Sequence, residues 1–79
     1  MNLYRISQTA NNDYDTYDSA VVAAQSEEDA RAWHPGGYMI VEVPEWRSWT
    51  QPENVTVEFL GIAKEGTRRG TICASFNAG

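Results

Sequence analysis

The chain has 79 residues, of which 42% are hydrophobic and 22% are charged, and its formal net charge at pH 7 is -5. This length accommodates one domain, residues 1–79, and the composition is typical of a globular protein rather than a disordered one. An acidic domain lacks the broad basic face that phosphates require, so we expect no direct binding of nucleic acid.

The negative charge is concentrated in the first thirty residues. They hold six acids against a single base, Arg5, whereas the rest of the chain balances five acids with five bases. The whole acidic excess therefore lies in this segment, at Asp13, Asp15, Asp18, Glu27, Glu28 and Asp29.

Two strands separated by a polar loop are expected at the start of the chain. Residues 3–7 alternate loosely between apolar and polar side chains, which is typical of a strand. Residues 9–17 are rich in turn-forming side chains and predict an exposed loop. The run of small apolar residues at 19–24 predicts a second, well-buried strand.

A short helix follows the second strand. Ser26 is a good N-cap and Asp29 lies three residues later, which resembles a capping box. The acids of the first turn suit the positive end of the helix dipole, and Glu27 can pair with Arg31 one turn later. The Pro-Gly-Gly sequence at 35–37 predicts the end of the helix.

The second half of the chain predicts three more strands. They are expected at residues 38–43, 55–63 and 71–76, with Gly61 marking a bulge or bend. Residues 64–70 favour a hairpin turn over an anion site. The expected fold class is α+β: a small antiparallel sheet of four to five strands, in the order β-β-α-β-β-β, with one short helix packed on one face.

Cys73 is the one cysteine, so the chain cannot form an internal disulfide, which favours a reducing compartment. Its apolar neighbours predict a buried, inert thiol. The first residues lead into no apolar signal region, and no apolar stretch approaches the length of a membrane span. We therefore expect a cytoplasmic protein that does not contact the membrane.

Catalysis and metal binding are poorly supported. His34 is the only histidine, and its position before Pro35 favours contacts with the last carbonyl groups of the helix over general-base work. The spacing of Asp13, Asp15 and Asp18 resembles a calcium loop, but both registers lack the required glycine and the closing glutamate. We predict that the protein is not an enzyme and has no catalytic residue, metal site or cofactor.

The most distinctive segment alternates acids with tyrosines, from Asp13 to Asp18. Spaced carboxylates beside rigid aromatic rings favour binding to a partner. A solvated loop whose aspartates form Asx turns explains the same residues equally well. Helix electrostatics alone explains the acids at 27–29, and Trp46 and Trp49 are expected to be buried in a domain with so small a core.

A resemblance narrows the choice of function. The stretches 14–24 (YDTYDSAVVAA), 26–31 (SEEDAR), 34–35 (HP) and 70–79 (GTICASFNAG) are similar to a family of small uncharacterised phage and prophage proteins. The resemblance runs along most of the chain and implies an accessory protein that acts in the bacterial cytoplasm. Small acidic phage proteins of this kind include inhibitors of host defence, anti-CRISPR proteins among them, many of which present carboxylates where DNA phosphates would lie.

The leading hypothesis is therefore an anti-CRISPR-like inhibitor. It would bind a host protein with a basic nucleic-acid-binding groove, such as a CRISPR effector subunit, and block access of target DNA. The partner-binding residues would be Asp13, Tyr14, Asp15, Tyr17, Asp18, Glu27, Glu28 and Asp29, on a monomer or weak homodimer.

Two alternatives come from other classes of function. One is a structural or regulatory phage protein that binds a partner through its exposed sheet face. The other is a sponge for a small signalling nucleotide, held by Arg68, Arg69 and the tryptophans.

Overall fold

The alternating start of the chain forms the two central strands of an antiparallel sheet. In the computed structural model, which describes residues 1–11, 15–40 and 48–77, β1 spans Asn2–Ser7 and β2 spans Thr16–Ala24. The edges are β5 (Thr56–Ile62) and β6 (Gly70–Asn77), and the strand order is β5-β1-β2-β6. With the helix and a second small sheet, these strands confirm the predicted α+β class.

One face of this sheet carries the core. Tyr4 pairs with Val22 and Ile6 with Ala20, and all four side chains are buried on the same face. The next residues along the strands, such as Arg5 opposite Val21, point to the other face because side chains alternate along a strand. The buried cluster consists of Tyr4, Ile6, Ala20, Val22, Ala24, Ala30, Ile40, Trp49 and Val55.

The helix α1 (Glu27–Arg31) begins where the sequence predicts. Ser26 Oγ accepts a hydrogen bond from the Asp29 amide at 3.1 Å, and a carboxylate oxygen of Asp29 accepts one from the Gln25 amide at 3.0 Å. Ala30 is fully buried and joins the core. The helix ends at Arg31, before the expected Pro-Gly-Gly stop, because the next residues enter a strand.

That strand belongs to a second, two-stranded sheet made of β3 (Trp33–His34) and β4 (Tyr38–Met39). The turn between them needs glycine at 37, where φ is 100°. The strand predicted at 38–43 begins at Tyr38, and its described part, Tyr38–Met39, pairs with β3 rather than with the main sheet. Residues 41–43 lie outside the described part of the chain.

The connection from β5 to β6 differs from the hairpin that the sequence predicts. The two strands lie on opposite edges of the sheet, so residues 63–69 form a crossover along its end. The amide of Ala63 donates to the carbonyl of Met1 at 2.9 Å along this path. The prediction failed because it assumed that consecutive antiparallel strands are neighbours, as they are in most sheets.

The bulge expected at Gly61 is confirmed. Tyr4 pairs with Phe59 and Leu3 with Gly61, so Leu60 is the extra residue, and Gly61 adopts a φ of 155°. A 3-10 helix, Pro52–Asn54, precedes β5. Arg31 donates to the carbonyl groups of Pro52 and Val55, which joins this turn to the helix.

Candidate functional site

Two of the acids that the sequence selects lie at the start of β2. Asp15 is exposed and has a φ of 61°, a left-handed conformation that aspartate tolerates better than most residues. Asp18 is exposed where β2 has one residue more than β6. Ser19 Oγ lies 3.2 Å from Asp18 Oδ1. Neither carboxylate is in an ion pair with any residue that the structure describes. We call Asp15 and Asp18 the β2 acids.

Asp13 and Tyr14, which the sequence places in the same site, lie outside the described residues. Tyr17 is described, and its ring packs inward rather than standing free. The ring centroid lies 4.8 Å from that of Phe76 and 5.5 Å from that of His34, both in edge-to-face geometry. Tyr17 therefore supports the backbone between the β2 acids and is half-buried.

A residue that sequence reasoning missed holds this region in place. Gln8 is buried, and its side-chain amide donates to the carbonyl groups of Asn11 and Tyr17 at 2.8 and 2.9 Å. Its side-chain oxygen accepts from the Asn11 amide at 2.7 Å. Asn11 in turn donates to the Trp49 carbonyl at 3.0 Å. These bonds fix both ends of the loop that precedes the β2 acids. The sequence does not indicate this role, because Gln8 is simply a glutamine that follows a predicted strand.

The three acidic side chains of the helix differ in whether an arginine already pairs with them. Glu28 is exposed and is in no ion pair within the described chain, while Glu27 lies 3.3 Å from Arg31, as predicted. The carboxylate of Asp29 is already bound, because the Arg69 guanidinium donates to both of its oxygens. These hydrogen bonds lower the pKa of Asp29 below its ordinary value, and the Gln25 amide lowers it further. Asp29 is therefore a structural residue.

The structure does not bring the helix acids and the β2 acids together. They lie at opposite ends of β2, whose nine residues span eight steps of about 3.4 Å, or roughly 27 Å. The longest dimension of the molecule is 36 Å. The acids therefore form two separate charged ends rather than one patch.

His34 is buried and contacts several neighbouring residues. Its ring stacks on Tyr38 at a centroid distance of 4.3 Å, Nδ1 accepts from the Gly36 amide at 2.8 Å, and Nε2 lies 2.9 Å from Ser48 Oγ. The expected contacts with the last carbonyl groups of the helix are wrong, because the helix ends at Arg31. His34 has a structural role, as the sequence favours, but in strand β3 instead of at a helix end.

Gly36 offers a test of this packing. A Cβ at this position would lie 3.0 Å from His34 Nδ1 and 3.1 Å from a Tyr38 ring carbon, and the stacked rings have little room to move. We expect Gly36→Ala to lower the free energy of unfolding by about 1 kcal/mol, as overpacking does. Urea denaturation checks this value. Gly66→Ala is not a clean control because its φ is 90°, so the exposed Ser75→Ala serves instead.

Cys73 is exposed, so the prediction of a buried thiol is wrong. It lies on β6, an edge strand, and faces a shallow groove of about 190 Å³ on the sheet face away from the core. Arg5, Val21 and Ser75 also line this groove. Apolar sequence neighbours indicate burial only when the strand lies inside a sheet.

Most of the residues suggested for a nucleotide site are buried or already bound to other side chains. The Arg69 guanidinium lies 5.2 Å from the centroid of the Trp33 ring and is bonded to Asp29, and Trp49 is fully buried. Trp46 lies outside the described residues. Arg68 is exposed.

The described residues contain no group of three or more histidine, cysteine, aspartate or glutamate side chains that could hold a metal ion. No helix within them is long and apolar enough to cross a membrane. No protein-family model, curated protein or solved structure matches the chain. The function is therefore inferred from the geometry of the site.

Proposed function

We propose that this protein is an anti-CRISPR-like inhibitor that binds a nucleic-acid-binding effector of host defence and blocks access of target DNA. The observation that carries the proposal is the state of the β2 acids: both are exposed, and neither is in an ion pair within the described chain. Carboxylates in this state can take the place of phosphates in a basic groove.

The residues that hold the backbone around the β2 acids in place favour binding. Gln8 and Tyr17 fix the backbone around them before any partner arrives, so less conformational entropy is lost on binding. Charged groups at an interface also steer encounter with an oppositely charged partner, and this effect weakens as salt screens the charges. We therefore expect fast association that slows as the ionic strength rises.

The second acidic end fits the same kind of groove. Glu27 and Glu28 lie roughly 27 Å from the β2 acids along a strand, whereas one turn of duplex DNA is about 34 Å long. A groove that holds one turn of duplex is long enough to contact both ends. Asp29 does not contribute a free carboxylate, because Arg69 neutralises it.

The test uses purified, guide-loaded CRISPR effectors of several types in a DNA-cleavage assay. We expect the protein to inhibit at least one type, with an inhibitory concentration that rises with salt. Asp15→Lys combined with Asp18→Lys should raise that concentration at least tenfold, equivalent to about 1.4 kcal/mol. Glu53→Lys combined with Glu65→Lys is the matched control, since both glutamates are exposed and the net charge changes equally.

The outcomes separate the alternatives. An equal loss with both double variants would mean that net charge, rather than the β2 acids, controls inhibition. Failure of the wild-type protein to inhibit any effector would overturn the proposal.

A second candidate is a phage accessory protein that binds a partner through the sheet face away from the core. The exposed Arg5, Cys73 and Ser75 around its groove favour this candidate. Binding through that face would depend weakly on salt and would be lost in Val21→Arg.

A further inference from the structure

The edge strand β6 has neither a charged residue nor a proline, two of the features that protect sheet edges in monomeric proteins. It is eight residues long, Gly70–Asn77. Ile72 and Phe76 are 51% and 47% exposed. A bulge interrupts its pairing with β2 at Ile72, and β2 has an extra residue at Asp18. Between these two irregularities, Cys73, Ala74 and Ser75 pair in regular register with Val21, Ala20 and Ser19. An uncharged, partly apolar edge of this length is a template for another strand.

The opposite edge, β5, is protected. It has a bulge at Leu60, as β6 has at Ile72, but Glu58 also places a charge in its middle. If two β5 strands paired antiparallel about Phe59, the two Glu58 side chains would be diagonal neighbours on one face, about 7–8 Å apart. Like charges at that distance oppose pairing, so self-association through β5 is disfavoured.

The charges at the two ends of β6 complement each other. Arg68 is exposed and lies two residues before the strand begins. The other end of β6 pairs with the start of β2, since Asn77 lies opposite Thr16 and Phe76 opposite Tyr17, and the β2 acids lie there. The start of this strand therefore has an exposed arginine beside it, and its other end lies beside the β2 acids.

We infer that a second copy of this chain adds to the β6 edge as an antiparallel strand, with Arg68 of each copy beside the β2 acids of the other. Antiparallel pairing of identical strands is two-fold symmetric, so each contact forms twice and the assembly closes as a dimer. The partner's β6 lies two strand spacings, about 10 Å, from β2. An arginine and an aspartate side chain together span that gap.

This inference is independent of the proposed function, because the dimer forms without an effector. If the proposed function also holds, the two uses of the β2 acids compete, and the monomer is the form that binds the groove. The two failures remain distinguishable, since self-association is measured on the protein alone.

Sedimentation velocity of the full chain over a range of concentrations, with reducing agent and at low salt, tests the inference. We expect a concentration-dependent dimer for the wild-type protein. Ile72→Lys, which places a charge on the exposed edge, should raise the dimer dissociation constant at least tenfold. Lys64→Glu is the control for a charge reversal in the same crossover, because Lys64 lies beside β5 rather than β6.

Reversing the charges on the two sides of the inferred contact gives the most specific test. Arg68→Glu alone, and Asp15→Lys with Asp18→Lys alone, should each weaken the dimer, because both ends of the symmetric contact become repulsive. An equimolar mixture of the two variants should recover the dimer, because the introduced lysines of one chain meet the introduced glutamate of the other while the native charges still pair at the far end. Circular dichroism of each variant checks that the fold is intact.

A monomeric wild-type protein at every concentration would overturn the inference. It would also be overturned if the mixed variants associated no more tightly than each variant alone, or if Ile72→Lys left the dimer unchanged.

Discussion

Replacement of Trp49 by alanine is expected to lower the free energy of unfolding by about 3–5 kcal/mol, the usual cost of removing a buried tryptophan. Among the described residues Trp49 is the largest fully buried side chain, and it belongs to the core cluster under the sheet. A domain of this size has a small core, and total stabilities are about 5–15 kcal/mol. The substitution should therefore remove a large part of the total stability.

Trp49→Phe is the matched variant. The indole N–H of Trp49 is buried and has no hydrogen-bond partner among the described residues, so phenylalanine removes an uncompensated polar group while it keeps most of the apolar volume. We expect a loss below about 1.5 kcal/mol, as for substitutions that roughly conserve volume. Urea denaturation followed by circular dichroism measures both variants without relying on tryptophan fluorescence. A Trp49→Ala protein as stable as the wild type would show that this side chain does not anchor the core.

Local signals in the sequence predicted the elements that depend on neighbouring residues. The Ser26 cap, the pair formed by Glu27 and Arg31, and the bulge at Gly61 all involve residues within a few positions of one another, and each is confirmed. The positions of the two β2 acids in an exposed segment could also be predicted, because turn-forming side chains surround them.

Features that depend on distant residues could not be predicted in this way. The partner of Asp29 is Arg69, forty residues later, and nothing near either residue indicates the pairing. Strand order decides that β6 is an edge, and Cys73 is exposed there on the sheet face away from the core. The separation of the acids into two ends likewise follows from the nine-residue length of β2, which the sequence had divided between a loop and a shorter strand.

Replacement of Asp29, which contacts Arg69, is the second change for which we expect a large loss of stability. Asp29 is the third residue of the helix, accepts from the Gln25 amide, and binds the arginine that ends the crossover before β6. Asp29→Ala removes all three interactions at once. From the cap and the helix dipole alone, we expect the free energy of unfolding to fall by about 2 kcal/mol. Glu28→Ala, at an exposed neighbour without these contacts, should change it far less.

The pH dependence of this effect has a definite sign. Because Arg69 lowers the pKa of Asp29 in the folded state, the unfolded chain binds the proton more readily. The stabilisation is complete above the unfolded pKa of about 3.9 and is lost as the pH falls through the lower folded pKa. The difference in unfolding free energy between wild type and Asp29→Asn should therefore be constant between pH 5 and 7 and shrink below about pH 4.

The same measurements on Arg69→Met, alone and with Asp29→Asn, complete a double-mutant cycle. If the ion pair joins the crossover to the helix, the two substitutions are not additive at pH 7, and the coupling disappears in acid. A coupling that stayed constant down to pH 3 would mean that packing against Trp33, rather than charge, joins these segments. Arg69 is the residue immediately before β6, so loss of this contact should disturb the start of the edge strand that we infer to form the dimer.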